Sequence, residues 1–191
     1  GSEMCIRDRH IVYRPAGGLN VKPAEMAGPI LMLLNRGQYL GTQVFSSVQI
    51  ERFEHPKTTL AAQHGLEFGY GLGVYHSQHQ GHTIINHGGD ADGYLSHFAY
   101  YPKAGKGYFA VVTAFDGRIL SRYKKVLNDW LVAELPRPAT PKQKMLSQGR
   151  LEKLSGIYTK ASTRFPAGNW QTSRFKVRVR AVSYTHLTLP T

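Results

Sequence analysis

The segment "INHGGDADGY" (residues 85–94) joins two apolar runs that have the composition of β-strands. "HTIINH" (82–87) leads into it, and "YLSHFAYYP" (94–102) follows it. The segment predicts that the first strand ends at His87, because two glycines follow at once. These glycines either form a turn or leave room for another molecule against the backbone of the strand.

Glycine-containing turns divide the surrounding sequence into four apolar runs. Consecutive strands joined by short turns pair as antiparallel neighbours, so we predict a four-stranded antiparallel meander. Gly71 and Gly73, at alternate positions of the first run, would relieve crowding against a helix. The predicted strands are "GYGLGVYH" (69–76), "HTIINH" (82–87), "YLSHFAYYP" (94–102) and "GYFAVVTAF" (107–115), and the predicted turns are "SQHQG" (77–81) and "KAGK" (103–106).

A helix is predicted before the sheet. Pro23 suits its first turn, where the missing N–H has no intrahelical partner to lose. Gly37, directly after an arginine, suits its C-terminal end. Residues 41–69 have no steady period and predict a short helix within long loops. The predicted apolar face of the first helix comprises Met26, Ile30, Leu33 and Leu34.

A second helix is predicted after the sheet, in "DGRILSRYKKVLNDWLVAELP" (116–136), with Pro136 and Pro138 stopping it. Helices before and after an antiparallel sheet indicate the α+β class, as an antiparallel meander flanked by helices. The predicted buried side of this helix comprises Ile119, Tyr123, Val126, Leu127, Trp130 and Leu131.

The two ends of the chain share no periodicity with their neighbours. Residues 1–9 ("GSEMCIRDR") and 181–191 ("AVSYTHLTLPT") resemble translated sequencing-adapter tails found in assembled environmental DNA, so we treat both as non-native. We expect the remainder to be an internal fragment of a longer, bacterial protein. Between the ends we predict a main domain (10–136), a basic linker (137–150) and the start of a small β-rich domain (151–180).

Composition excludes some classes of protein. The apolar share of 41% is that of a folded chain. No apolar stretch reaches the roughly 18 residues that a membrane-spanning helix needs. Cys5 is the single cysteine, so no internal disulfide can form.

The net charge of +12 belongs to one segment. Residues 137–180 hold eleven Lys and Arg side chains against Glu152 alone, whereas residues 10–136 hold eleven against nine acidic side chains. The alternating cations of "RFKVRVR" (174–180) would share one face of a strand. There they either protect an exposed sheet edge or, as part of the basic segment 137–180, bind an anionic surface of phosphates or lipid headgroups. We expect the protective role and no nucleic-acid partner.

Three segments, taken in order and spacing, carry a resemblance to a known family. "PAGGLNVKPAEM" (15–26), "FGYGLGVY" (68–75) and "NHGGDADGYLSHFAYYPKAGKGYFAVVTAFDG" (86–117), with the helix that follows, resemble the C-terminal half of the serine β-lactamase and penicillin-binding-protein-like family. The family includes class C β-lactamases, D-alanyl peptidases and β-lactamase-fold esterases. The resemblance covers about residues 13–135. It implies an incomplete β-lactamase fold and, in the longer protein, an acyl-enzyme on an upstream serine.

The third motif of that family is Lys-Thr-Gly or His-x-Gly, on a strand that lines the active site. His87 and the two glycines after it stand in that place. The resemblance implies that His87 assists proton transfer or holds the substrate, that Gly88 contributes to substrate binding and that Gly89 admits the acyl carbonyl against the strand. The Asp90 N–H would be one of two oxyanion-hole donors. Family members often carry Gly, Thr and Pro where this chain has "DAD" (90–92), and two carboxylates there argue against recognition of an anionic substrate group.

The family's nucleophile motif, S-x-x-K, and its second motif, Y-x-N, both precede the third motif along the chain. "SRYK" (121–124) and "SRFK" (173–176) match the first pattern, but both follow His87, and so loose a pattern occurs by chance. No Y-x-N occurs. We therefore expect the chain by itself to be inactive. The parent would hydrolyse a β-lactam, a D-amino-acid or peptidoglycan-like peptide, or a simple ester, without a metal or organic cofactor.

Two alternatives stay open. His76, His79 and His82 are spaced by threes, with His87 and His97 near them in sequence, but no Cys or Glu joins them, and tetrahedral zinc needs convergent ligands. A parent that kept the fold and lost the chemistry would be a binding protein, which the upstream motifs would distinguish.

The C-terminal part of the chain bears on localisation. "LSGIYTKASTRF" (154–165) is similar to the opening of a small β-rich domain that follows the hydrolase in some relatives, sometimes ahead of membrane helices. The resemblance thus implies a periplasmic or membrane-associated parent.

Overall fold

The structure is a computed structural model that describes residues 17–19, 21–91, 93–139, 146–158 and 177–179. A 3₁₀ turn at Pro23–Met26 leads directly into the first α-helix. The helices are α1 (Ala27–Leu34), α2 (Ser47–Glu54), α3 (Leu60–Gln63), α4 (Gly117–Val132) and α5 (Gln148–Lys153). The strands are β1 (Gln38–Tyr39), β2 (Thr42–Gln43), β3 (Tyr75–His79), β4 (His82–Ala91), β5 (Tyr94–Tyr101), β6 (Lys106–Val112), β7 (Gly156–Tyr158) and β8 (Val177–Val179).

Strands β3 to β6 form one antiparallel sheet whose spatial order is the chain order. This confirms the prediction of a mixed α+β chain with an antiparallel meander flanked by helices. The turn between β3 and β4 has two residues, Gln80 and Gly81, both with left-handed φ (49° and 83°). This type I′ geometry matches the twist of the flanking strands. The turn predicted at 77–81 is wrong in extent, because residues 77–79 already pair with β4.

Helix α1 covers one face of the sheet. Ile30 and Leu33 are buried and pack with Ile85 and Tyr100 in one apolar cluster. Burying a side chain of this size stabilises a fold by about 1.5–3 kcal/mol, so these contacts fix α1 above the strands. Gly37 adopts a φ of 94° just beyond the helix, as its predicted role at the C-terminal end requires.

The region at 41–69 contains two short helices where one was predicted. The side chain of Ser46 accepts a hydrogen bond from a backbone N–H in the first turn of α2, and Thr59 does the same for α3. Both are preferred N-cap residues, so local sequence accounts for where each helix begins.

A buried acidic side chain attaches α2 to the sheet. Glu54, the last residue of α2, receives hydrogen bonds from Arg36 Nη1 (2.6 Å) and from the hydroxyl of Tyr100 in β5 (3.0 Å). A buried carboxylate requires such partners, because burial of an unpaired charge is costly. The arrangement therefore holds both helices over the same sheet face.

The strand predicted at 69–76 begins only at Tyr75. The residues before it form a loop against the end of α2, where the Leu72 N–H donates to the Phe53 carbonyl (2.9 Å). A side chain at Gly71 would collide with that same carbonyl. The prediction of relieved crowding against a helix is confirmed for Gly71, although it lies in a loop and not in a strand. The prediction is wrong for Gly73, where an added side chain would meet nothing within 4 Å and the left-handed φ of 80° is what favours glycine.

Helix α4 packs on the opposite face of the sheet. Leu127 and Leu131 lie against Tyr101 and Tyr108, and the Tyr101 hydroxyl donates to Asn128 Oδ1 (2.9 Å). The predicted buried side is wrong in part. The helix turns the side that carries Leu127, Asn128 and Leu131 towards the two tyrosines. The predicted residues that remain exposed are Ile119, Tyr123, Val126 and Trp130.

The last described segments form a separate strand pair, in which β7 and β8 are antiparallel. The predicted cationic face at 174–180 concerns side chains that lie outside the described residues. The same is true of the two predicted non-native ends, 1–9 and 181–191.

Candidate functional site

The free edge of β4 is the feature that makes this region a candidate site. Among the residues that the structure describes, β3 pairs with β4 only as far as Asn86, and residues 87–91 of β4 pair only with β5. The prediction that the strand ends at His87 is therefore wrong: the strand continues for four more residues, to Ala91. Backbone groups along an unpaired strand edge can hydrogen-bond an extended ligand.

His87 stands at the point where β3 stops covering this edge. Its ring lies 5.6 Å from that of Tyr75 and 6.4 Å from that of Tyr70, centre to centre. Its Nδ1 lies 2.6 Å from the Gly88 carbonyl oxygen. A carbonyl can only accept, so Nδ1 carries the proton, and in the neutral ring Nε2 keeps its lone pair. The half-buried imidazole can therefore accept or pass on a proton at Nε2.

Gly88 and Gly89 lie inside the strand, so the alternative that they form a turn is wrong. A methyl group added at Gly88 would meet nothing closer than 3.5 Å, which is ordinary contact. At Gly89 it would lie 2.9 Å from the hydroxyl of Ser96, a side chain that can rotate away. Packing within the chain therefore does not require glycine at Gly88, which leaves the approach of a ligand as a reason for small residues here.

Asp90 follows on the same free edge and is exposed. Its backbone N–H belongs to the unpaired part of β4, where the resemblance expects an oxyanion donor. Its carboxylate makes the edge acidic as well. Asp92, the second predicted carboxylate, lies outside the described residues.

A buried polar network beneath the site was not predicted from sequence. Asn86 Nδ2 donates to the Ser77 hydroxyl (2.8 Å) and the Tyr75 carbonyl (3.1 Å). Its Oδ1 accepts from His97 Nε2 (3.2 Å), and the Tyr108 hydroxyl lies 3.2 Å from His97 Nδ1. The network thus crosses all four strands of the sheet. Its members alternate with apolar residues in the chain, so only the pairing register brings them together.

Burial sets the protonation of this network. The pKa of His97 is lowered to about 4, first by loss of solvent and then by electrostatic interaction with Lys124 and with the His87 ring. Burial raises the pKa of Tyr108 to about 12. Because Asn86 Oδ1 can only accept, neutral His97 carries its proton on Nε2 and accepts from Tyr108 at Nδ1. The network is neutral at ordinary pH and rigidly supports the strand that carries His87.

The histidines considered as metal ligands do not converge. His76 Nε2 donates to the Glu54 carbonyl (3.1 Å) on the face covered by α1. His79 Nε2 pairs with Asp129 Oδ1 (2.7 Å) on the face covered by α4. Within the described ranges, no group of three or more His, Cys, Asp or Glu side chains is placed to hold a metal ion.

The serine of "SRYK" is also remote from the site. Ser121 is exposed on α4, which packs against the face that carries Tyr101 and Tyr108. His87 and Phe98 are register partners on the opposite face. The second match, at 173–176, lies outside the described residues.

No helix in the described part of the chain has the length and apolar character that crossing a membrane requires. Comparisons of the chain with protein-family models, with curated proteins and with solved structures gave no match.

Proposed function

We propose that this chain is the C-terminal part of a serine hydrolase of the β-lactamase and penicillin-binding-protein-like type, which cleaves amide or ester bonds through an acyl-enzyme. The free edge of β4 carries the proposal. At this edge an imidazole, a strand segment without side chains and open backbone N–H groups stand side by side. The order of helices and strands around it supports the same assignment.

The proposed reaction has two steps. A serine hydroxyl of the longer protein attacks the substrate carbonyl, the bond to the leaving nitrogen or oxygen breaks, and the leaving group takes up a proton. Water then attacks the acyl-serine ester, releases the acid and restores the serine. His87 moves a proton at Nε2 in these steps, Gly89 lets the acyl carbonyl lie against β4, and the Asp90 N–H stabilises the developing oxyanion.

The acidic edge favours neutral substrates. A carboxylate on the substrate, as in β-lactams and D-amino-acid peptides, would lie near the Asp90 side chain and be repelled. A simple ester or amide has no such charge. The proposed enzyme is therefore an esterase or amidase in preference to a β-lactamase.

Turnover by the longer protein tests the proposal. We expect it to hydrolyse p-nitrophenyl acetate faster than a carboxylate-bearing β-lactam. His87→Ala should lower kcat/KM by about 10²–10⁴, the contribution of one acid–base group. His64→Ala is the matched control, because His64 is exposed and lies in no part of the site. Absence of turnover, or equal activity of the His87 and His64 variants, would make the protein a binding protein on the same fold.

A further inference from the structure

An apolar cavity adjoins the candidate site. It has a volume of about 500 Å³ and lies between α1, α2 and the sheet. The volume falls within the range of small-molecule sites, roughly 300–1,000 Å³. Its lining includes Met32, Phe45, Phe53, Leu72 and Phe98, and within the described part of the chain the only polar side chains around it are Gln49 and Arg52.

Two elements connect this cavity to His87. Phe98, which forms part of the cavity wall, is the register partner of His87 on β5. Partners in an antiparallel pair leave the same sheet face with Cβ atoms about 4.5–5.5 Å apart. Leu72, at the other wall, belongs to the loop whose Tyr70 ring packs against the His87 ring. His87 does not itself line the cavity, but the cavity wall at Phe98 is its cross-strand neighbour, and the cavity extends from there under α1 and α2.

The walls suit an apolar chain better than a polar one. A cavity with so few polar groups cannot satisfy the hydrogen bonds of a sugar or a peptide, and leaving them unmade costs free energy. Met26 and Met32 contribute flexible, polarisable side chains that adapt to ligands of different shape. Arg52 lies at the wall nearest the end of α2, where its Nη1 donates to the His55 carbonyl at 3.5 Å. Its guanidinium therefore has a partner within the chain and does not need a polar ligand in the cavity.

We propose that this cavity takes the apolar acyl chain of the substrate, so that the enzyme hydrolyses esters or amides of alkanoic acids longer than acetic acid. The inference rests on the proposed function, because it places the scissile carbonyl at the free edge of β4 and the chain beyond it between α1 and α2. The Asp90 carboxylate agrees with this choice, because an alkanoyl ester is neutral.

Binding to the full chain tests the cavity without any chemistry. A series of N-methyl alkanamides, from acetamide to octanamide, is titrated and the dissociation constant is measured by calorimetry or by NMR. We expect the constant to fall about fourfold for each added CH₂, the value of one buried methylene, until the cavity is filled. A constant that does not depend on chain length overturns the proposal, as does a dimer of this chain that covers the cavity and excludes the ligand.

A matched pair of variants locates the binding. Leu72 and Leu60 are both 49% exposed, but only Leu72 lines the cavity. Leu72→Asn should weaken octanamide binding about tenfold, as expected for the loss of one apolar contact surface, while Leu60→Asn should not. Equal effects of the two variants place the ligand elsewhere and overturn the proposal.

Kinetics of the longer protein separates this proposal from the proposed function. The expected result is a kcat/KM for p-nitrophenyl octanoate above that for the acetate, with the gain reduced by Leu72→Asn. Hydrolysis of both esters at the same rate, with no binding of octanamide, overturns the acyl-chain site but agrees with the proposed hydrolase function. Length-dependent binding of amides without any turnover of esters supports the cavity as a binding site for an apolar chain and overturns the proposed hydrolase function.

Discussion

His97 Nε2 on β5 lies 3.2 Å from Asn86 Oδ1 on β4, in the buried layer beneath the strand segment that carries His87. This contact joins the two strands by their side chains at the position where β4 loses its other neighbour, β3. It also fixes which nitrogen of His97 carries the proton. The stiffness of the free edge therefore depends on a neutral, buried imidazole.

Stability should fall as the pH is lowered through the window set by His97. The unfolded chain binds a proton at this histidine below about pH 6.5, whereas the native state does so only below about pH 4. Between these values unfolding takes up a proton, so the free energy of unfolding decreases by up to about 1.4 kcal/mol per pH unit and is regained above pH 6.5. Urea unfolding at pH 4.5, 5.5, 6.5 and 7.5 measures this slope.

The control for this experiment is His97→Gln. Glutamine keeps an N–H for Asn86 and removes the titration, so the slope between pH 4 and 6.5 should decrease. A remainder is expected from His76, whose pKa burial also lowers. An unchanged slope would mean that His97 titrates normally and does not belong to a buried network.

Asn86 and His97 should be energetically coupled. Asn86→Ala leaves the His97 Nε2 proton and the Ser77 hydroxyl without their buried partner, at a cost of about 1–3 kcal/mol for each unsatisfied group. A double-mutant cycle with His97→Ala should give an interaction energy within about 0.5–3 kcal/mol, as measured by equilibrium unfolding. Strictly additive costs would contradict the network.

Gly71 should be much less tolerant of alanine than Gly117. A Cβ at Gly71 would lie 2.6 Å from the Glu54 carbonyl oxygen, whereas at Gly117 it would meet nothing within 4 Å. We expect Gly71→Ala to destabilise the chain by at least about 1–3 kcal/mol through overpacking. Gly117→Ala should be neutral or stabilising by up to about 1 kcal/mol, because it stiffens the unfolded chain. Similar melting temperatures for both variants would show that the loop does not pack against α2.

The side that α4 turns towards the sheet predicts opposite outcomes for mutations at two neighbouring residues. Trp130 is 71% exposed and Leu131 is 4% exposed. Trp130→Gln should change stability by no more than about 0.5 kcal/mol, whereas Leu131→Ala should cost about 2–5 kcal/mol. Thermal unfolding of the two variants shows which of the two side chains is buried. A larger loss of stability for Trp130→Gln than for Leu131→Ala would mean that the buried side predicted from sequence is correct.

Sequence patterns correctly predicted those parts of the fold that are determined by residues close together in the chain. The meander follows from apolar runs separated by Gly-containing turns, and Gly37 ends α1 with the left-handed φ that its predicted role requires. The same patterns failed where tertiary contacts decide. Gly88 and Gly89 are typical of a turn, yet pairing with β5 keeps them in a strand.

The site was predictable only as a point in the sequence. The three residues His87, Gly88 and Gly89 were identified, but β3 does not lie beside them because it begins only at Tyr75, and the residues before it pack against the end of α2. The network of Asn86 and His97 has no local signal, because its members meet through the register of separate strands.

The reading frame upstream of codon 10 in the source DNA decides whether this chain is part of a serine hydrolase. The proposed role of residues 87–91 in holding an acyl group requires a nucleophile from the same protein, so we predict an in-frame S-x-x-K followed by Y-x-N upstream of them. A frame that reaches its start codon, at Met4 or further upstream, without both motifs would show that the chain is not part of such an enzyme.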